Sequence, residues 1–189
     1  HGYAGHSQEN WFPWLKEELE KQGHQVIIPD FPTPQQPDLK EWRGFFERYS
    51  KKINEKTIVI GHSLGGAFLL SLLEEHKLRA AFLVAALSGP IEHEVDDKIK
   101  TFTHRIFDFR KIKRNCSNFY VLHSDNDPFI PLPEAWSLAD HLDVEVTLVN
   151  NGGHLNFSAG FRTFPLLLEL IKNAIDSKPS FPTLTGVKK

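Results

Sequence analysis

The 189 residues are 40% hydrophobic and 12% aromatic, enough to fill one sizeable core and short of what a second domain of ordinary size would need. A formal net charge of -2 gives no general attraction to nucleic acid or to an anionic membrane, so neither is expected as a partner. The single cysteine, Cys116, can close no internal disulfide and no secretory segment is visible, which favours a reducing compartment, with the cytoplasm as default.

The chain opens on His1-Gly2-Tyr3-Ala4-Gly5 and contains no methionine. A Gly-rich turn of this kind lets the backbone approach a ligand closely, and a first strand outside this sequence is expected to feed it. From Asn10 the pattern is helical: Pro13 suits a first turn, Trp11, Trp14, Leu15 and Leu19 recur at helical spacing, and Gly23 ends the run. His24-Gln25-Val26-Ile27-Ile28 reads as a strand, and the prolines at 29, 32 and 34 make the next stretch a loop. Asp38 is placed to cap a second helix, whose inner face is Leu39, Trp42, Phe45, Phe46, Tyr49 and Ile53. These aromatics read as core.

Residues 57–75 have the strongest chemical signal. Thr57-Ile58-Val59-Ile60 is a strand, Gly61-His62-Ser63-Leu64-Gly65 a tight turn, and the apolar run after it a buried helix. A lone G-x-S-x-G is weak, but strand, turn and helix together are the context in which it presents a serine above a sheet edge. Side chains at Gly61 and Gly65 would collide with the elements the turn joins. The amide of Leu64, at the helix N-terminus, is a candidate oxyanion donor, and the amide of Tyr3 is a candidate second one.

Residues 80–87 form a continuous apolar run, as expected of a strand covered on both faces. Residues 88–117 are irregular and long enough to hold a lid inserted over a site. Within them Glu92-His93-Glu94 matches no metal-ligand spacing, so no metal is assigned, and the basic residues from Arg110 to Arg114 read as a solvated helix face. Residues 118–122 are a strand ending in His123-Ser124-Asp125-Asn126-Asp127-Pro128. A helix from Pro133 to His141 and a strand over 144–149 come next, then the turn Asn150-Asn151-Gly152-Gly153-His154 and an amphipathic helix over 161–175. The tail from Lys178 reads as disordered. Five strands alternating with helices, with a further one feeding the first turn, give a single α/β domain over 1–177, a doubly wound, mostly parallel sheet.

In such sheets the reactive site lies outside the carboxyl ends of the strands. Three strand ends here supply Ser63, an aspartate of the loop 125–127, and His154, in the chain order Ser, Asp, His. A serine hydroxyl needs a base, histidine titrates in the useful range, and a carboxylate holds the imidazole in the productive tautomer. His154 is chosen for its Gly-Gly turn after the last strand, with His123 as the second choice. His62 should point away from the serine and serve packing or hydrogen bonding. Trp11, Trp14, Phe129 and Phe157 are candidates for an acyl pocket or, equally, for the core.

HGYAG, the W-x-x-W of Trp11 and Trp14, GHSLGG, SDNDPFIP and GGHLN together resemble the retinoblastoma-binding protein 9 and YdeN family of serine hydrolases, within the α/β-hydrolase superfamily. The resemblance covers nearly all the chain except the tail. It implies catalytic roles for Ser63, Asp127 and His154, a cytosolic hydrolase without a cofactor, and a small lid. A partner recognised through L-x-C-x-E is not implied, because Cys116 stands in Arg114-Asn115-Cys116-Ser117-Asn118. The resulting expectation is a carboxylesterase-like enzyme acting on a small-molecule ester through an acyl-enzyme. The alternatives are an amide or thioester hydrolase, or a binding module on the same scaffold.

Overall fold

In chain order the protein folds as α1 (Phe12–Glu20), α2 (Leu39–Ser50), β1 (Ile58–His62), α3 (Leu64–Leu73), β2 (Ala80–Val84), α4 (Asp96–Thr103), α5 (Phe109–Asn115), β3 (Phe119–Ser124), α6 (Leu132–Leu142), β4 (Val146–Val149) and α7 (Pro165–Asp176). The computed structural model describes residues 1–177; the tail expected to be disordered lies outside them. The four strands are parallel and hydrogen-bond in the order β1-β2-β3-β4. Parallel neighbours need crossovers, and helices supply each one.

Successive side chains of a strand point to opposite faces, and here both faces are covered. Ala81, Leu83, Phe119 and Val121 pack in one apolar cluster with Trp42, Phe46 and buried side chains of α3 to α6. Ala80, Phe82, Val84 and Leu122 pack in a second cluster with Phe12 and Leu15 of α1 and Leu167 and Ile171 of α7. Every residue of β2 is therefore buried, as its unbroken apolar sequence required. From the floor of the sheet the Arg79 guanidinium donates to the carbonyls of Ala174, Ile175 and Ser177, satisfying acceptors that the end of α7 leaves open.

The elements depart from expectation at identifiable places. Residues 24–28 are extended but form no strand: Val26 and Ile28 pack on the second cluster, yet among the described residues no backbone pairs with them. The sheet thus has four strands instead of five. β2 stops at Val84 because Ala85 takes a positive φ of 44° and turns the chain over. β4 begins at Val146, since the Val144 amide returns to Ala139 O to close α6 behind the left-handed Asp143. α7 begins at Pro165, where proline suits a first turn, leaving Phe161 and Phe164 in edge contact ahead of it. Asp38 caps α2 as expected, accepting from the Glu41 amide at 3.0 Å. Residues 88–117 contain α4 and α5, whose Ile99, Phe102 and Ile112 are fully buried, so much of this stretch belongs to the core.

Candidate active site

Ser63 sits between β1 and α3 with φ 56° and ψ -123°, a conformation that costs a non-glycine residue about 1–3 kcal/mol and persists only where its surroundings enforce it. The enforcement is visible. The Ser63 amide is tied to Val84 O at 2.9 Å, and a Cβ at Gly61 would collide with the carbonyl of Gly65, so strand and helix close directly on each other. The opening turn lies against the same residue: a Cβ at Gly2 would stand 2.9 Å from the Ser63 Cβ and 3.3 Å from its Oγ. Only glycine permits that approach. Among the described residues the amides of Tyr3 and Leu64 have no hydrogen-bond partner, whereas the neighbouring amides of Ala4, Gly5 and Gly66 are bonded to Pro34, Gly2 and Ser63 carbonyls. The Tyr3 ring packs beside the first core cluster with the Lys98 ammonium of α4 5.8 Å above it.

The loop after β3 brings Asp127 to His154. Asp127 Oδ1 accepts from the amides of Phe129 at 2.9 Å and Ile130 at 3.1 Å, which leaves Oδ2 for His154 Nδ1 at 2.8 Å. Burial by itself would raise the Asp127 pKa, but the hydrogen bond and charge of His154 and the two amides outweigh it, and the net shift is downward. The carboxylate is therefore held ionised. Asp125 lies elsewhere, accepting from the Asn151 amide at 2.7 Å. The second-choice base, His123, is fully buried, engages Ile130 O through Nε2 at 2.9 Å, and has its pKa pushed down by burial.

The sequence did not reveal how the turn carrying His154 is held. Three successive amides of that turn donate to three successive side chains at the end of β3 and just beyond it: Asn151 to Asp125 Oδ1, Gly152 to Ser124 Oγ at 2.8 Å, and Gly153 to Asn126 Oδ1 at 2.7 Å. The available signal was a polar run, Ser-Asp-Asn, facing a Gly-rich turn from the adjacent strand. Asn151 and Leu155 flank His154 with positive φ values of 54° and 49°, so the turn is constrained on both sides.

His62 completes the set. Its Nε2 lies 2.9 Å from the carbonyl of His154, and because a carbonyl only accepts, Nε2 carries the proton. The two imidazoles are neighbours, with ring centroids 4.9 Å apart. Burial first, and the proximity of His154 second, push the His62 pKa down from 6.5 to about 3. The sign is direct: between these values the unfolded chain binds a proton that the folded one refuses, so stability rises with pH across the window by up to about 1.4 kcal/mol per unit and is flat above it. His62→Gln retains a donor and does not titrate. Its denaturant-derived free energy of unfolding should rise less steeply between pH 4 and 6.5 than that of the parent; equal slopes would show that His62 is not buried neutral.

The aromatic candidates divide. Trp11 is buried in the second core, donating from Nε1 to Leu155 O at 3.0 Å, and Trp14 packs on the same cluster. These two pack in the core, and Trp11 meets the site by anchoring the residue after His154 and by standing edge-on to the His62 ring at 6.2 Å. Phe129 and Phe157 are 44% and 47% exposed. The Phe129 ring stands edge-on to His154 at 5.0 Å and meets His93 at 5.6 Å, while Phe157 lies under the Arg162 guanidinium.

Residues 1–173 match the family model described as serine hydrolase. The chain is 33% identical over 177 residues to the putative hydrolase YdeN of Bacillus subtilis, covering 90% of this chain and 91% of that one. It is 31% identical over 145 residues to the serine hydrolase RBBP9 of Rattus norvegicus, covering 76% and 77%. The crystal structure of the B. subtilis ydeN product superposes with a TM-score of 0.89 at 29% identity, over 94% of this chain and 96% of that one. Est1E of Butyrivibrio proteoclasticus, at 15% identity, shares the fold with a TM-score of 0.68 over 94% and 86%. A sequence match across almost the whole described chain and a superposition of the same extent agree: the chain belongs to the serine hydrolase family and has the α/β-hydrolase fold.

Proposed function

We propose that the protein is a carboxylesterase that cleaves small esters through an acyl-enzyme, with Ser63 as nucleophile, His154 as general base and acid, and Asp127 as the carboxylate that orients the imidazole. The observation that carries this reading is the 2.8 Å contact of His154 Nδ1 with an Asp127 carboxylate whose other oxygen is pinned by two amides, in a fold that strains Ser63 into a turn at the same end of the sheet. Ser63 Oγ attacks the carbonyl while His154 Nε2 accepts its proton. The imidazolium, stabilised by Asp127, returns that proton to the alkoxide leaving group. Water then attacks the acyl-enzyme by the same route, regenerating the serine. The unpartnered amides of Tyr3 and Leu64 receive the oxyanion, the latter with the help of the α3 dipole. The chemistry uses only side chains and amides of the chain.

Phe129 borders the acyl site, and residues 88–95, reaching Phe129 through His93, act as its lid. The place of work is the cytoplasm, in keeping with a single buried thiol, Cys116, whose pKa burial pushes up to about 11. No described helix is long and apolar enough to cross a membrane.

The test is a broad fluorophosphonate followed by a p-nitrophenyl ester series from acetate upward, with the amide and thioester of the best acyl group as competitors. The probe should attach to Ser63, and kcat/KM should be greatest for short acyl esters. Faster turnover of the matched thioester or amide would replace the carboxylesterase reading. Failure of both labelling and turnover would leave a binding module on a hydrolase scaffold.

A further inference from the structure

The amides ahead of His154 are held by side chains at and beyond the end of β3, but the carbonyls of His154 and Leu155 are held from elsewhere. His62 Nε2, on β1, donates to the carbonyl of His154 at 2.9 Å, and Trp11 Nε1, just ahead of α1, donates to that of Leu155 at 3.0 Å. Both donors are ring N–H groups, and both rings are buried. They stand edge-on to each other, and further rings brace them, Phe12 against His62 at 6.1 Å and Phe164 against Trp11 at 5.9 Å. Neither donor can move far without disturbing the other. Asn10, next to Trp11, adds a bond beyond them: its Oδ1 accepts from the Phe157 amide at 2.8 Å.

The backbone held in this way is strained. Leu155 is fully buried and takes a φ of 49°, a left-handed conformation that an aliphatic residue keeps only where its surroundings impose it. Its amide returns to Gly152 O at 3.0 Å, and its carbonyl is left to Trp11. A buried carbonyl without a donor is costly, so loss of either ring N–H would favour rotation of the peptide it caps. Rotation there would relax Leu155 and swing the Cα–Cβ bond of His154, and with it the reach of Nδ1 to Asp127 and of Nε2 to Ser63. The absence of charge on the donors matters as well. Burial keeps the His62 imidazole neutral, so at 4.9 Å from His154 it fixes the backbone without opposing the positive charge that the base acquires.

We propose that Trp11 and His62 form a two-ring clamp on the general base: they are positioning residues that cap the consecutive carbonyls of His154 and Leu155 and act as one unit. The role rests on the hydrolase reading above. It assigns the first tryptophan of the W-x-x-W pattern to the site as well as to the core.

The experiment compares the parent with Trp11→Phe, His62→Leu, His62→Gln and the double variant Trp11→Phe/His62→Leu. Trp11→Phe keeps an aromatic ring in the core and loses only the donor, whereas His62→Gln keeps a donor at nearly the place of Nε2. The readouts are kcat and KM for p-nitrophenyl acetate and the low-field proton resonance of the His154 Nδ1–H bonded to Asp127, identified by its absence from His154→Gln. Trp11→Phe and His62→Leu should each lower kcat by about 10- to 100-fold with KM within about twofold, and both should broaden or lose the resonance while still folded. His62→Gln should stay within about threefold of the parent. The double variant should be no more than about threefold worse than the poorer single one, since a clamp opened on one side is already open. The proposal is overturned if Trp11→Phe keeps the parent's kcat and resonance, if His62→Gln is as impaired as His62→Leu, or if the two losses multiply. Should the double variant not fold, Trp11→Phe and the comparison of Gln with Leu decide the matter. A parent that turns over no ester would count against the hydrolase reading alone, because the resonance would still show whether the two rings hold His154 on Asp127.

Discussion

Ser63→Ala should abolish fluorophosphonate labelling and lower ester turnover by about 10⁶-fold, the scale on which removing a triad nucleophile acts in serine hydrolases. The substitution removes one oxygen from a residue whose backbone is held by Val84 O and by the close approach of Gly2. Alanine tolerates positive φ no better than serine, so the turn should stay equally strained and the fold equally stable. Thermal unfolding of the variant within about a degree of the parent is therefore part of the expected result. A variant that still takes up the probe would place the nucleophile elsewhere.

That serine was legible because its surroundings are local: strand, turn and helix are consecutive, and each has its own periodicity. His154 and an aspartate of the loop 125–127 were legible by a different route, from the carboxyl ends of two successive strands in a parallel sheet, with the family resemblance pointing to Asp127. The ladder of Asp125, Ser124 and Asn126 onto the 151–153 amides escaped because its partners lie 26 to 28 residues apart and none of them follows a repeating pattern. His62 could be assigned to packing or hydrogen bonding, but its bond to a carbonyl 92 residues away follows only from the folded chain. Residues 24–28 show the opposite limit. Val26, Ile27 and Ile28 have the composition of a strand, yet a strand exists only by its neighbour, and among the described residues no backbone pairs with them. The apolar residues of 88–117 failed to announce α4 and α5 because two short helices, eight and seven residues long, offer too few turns for a clear period.

Of the two acidic side chains in the loop after β3, only Asp127 should matter for chemistry, with Asp127→Asn lowering kcat by up to about 10⁴-fold. The geometry gives the reason atom by atom. Two amides, those of Phe129 and Ile130, require an acceptor at Oδ1, so an asparagine would place its carbonyl oxygen there and turn its NH2 toward His154. That NH2 can only donate, and it would hold His154 Nδ1 bare and move the ring proton to Nε2, the atom that must accept from Ser63. The imidazolium would also lose the charge that stabilises it. Because the backbone contacts are kept, the variant should fold normally, and its defect should appear in kcat with little change in KM. Asp125→Asn presents a different case: its Oδ1 accepts from the Asn151 amide, an asparagine oxygen can do the same, and no titrating partner faces it. Its kcat should stay within about threefold of the parent, since the turn bearing His154 keeps all three of its amide bonds. If Asp125→Asn proved the crippled variant while Asp127→Asn stayed active, the carboxylate assignment would be reversed; if both retained full activity, His154 would need no carboxylate and the base itself would have to be sought elsewhere.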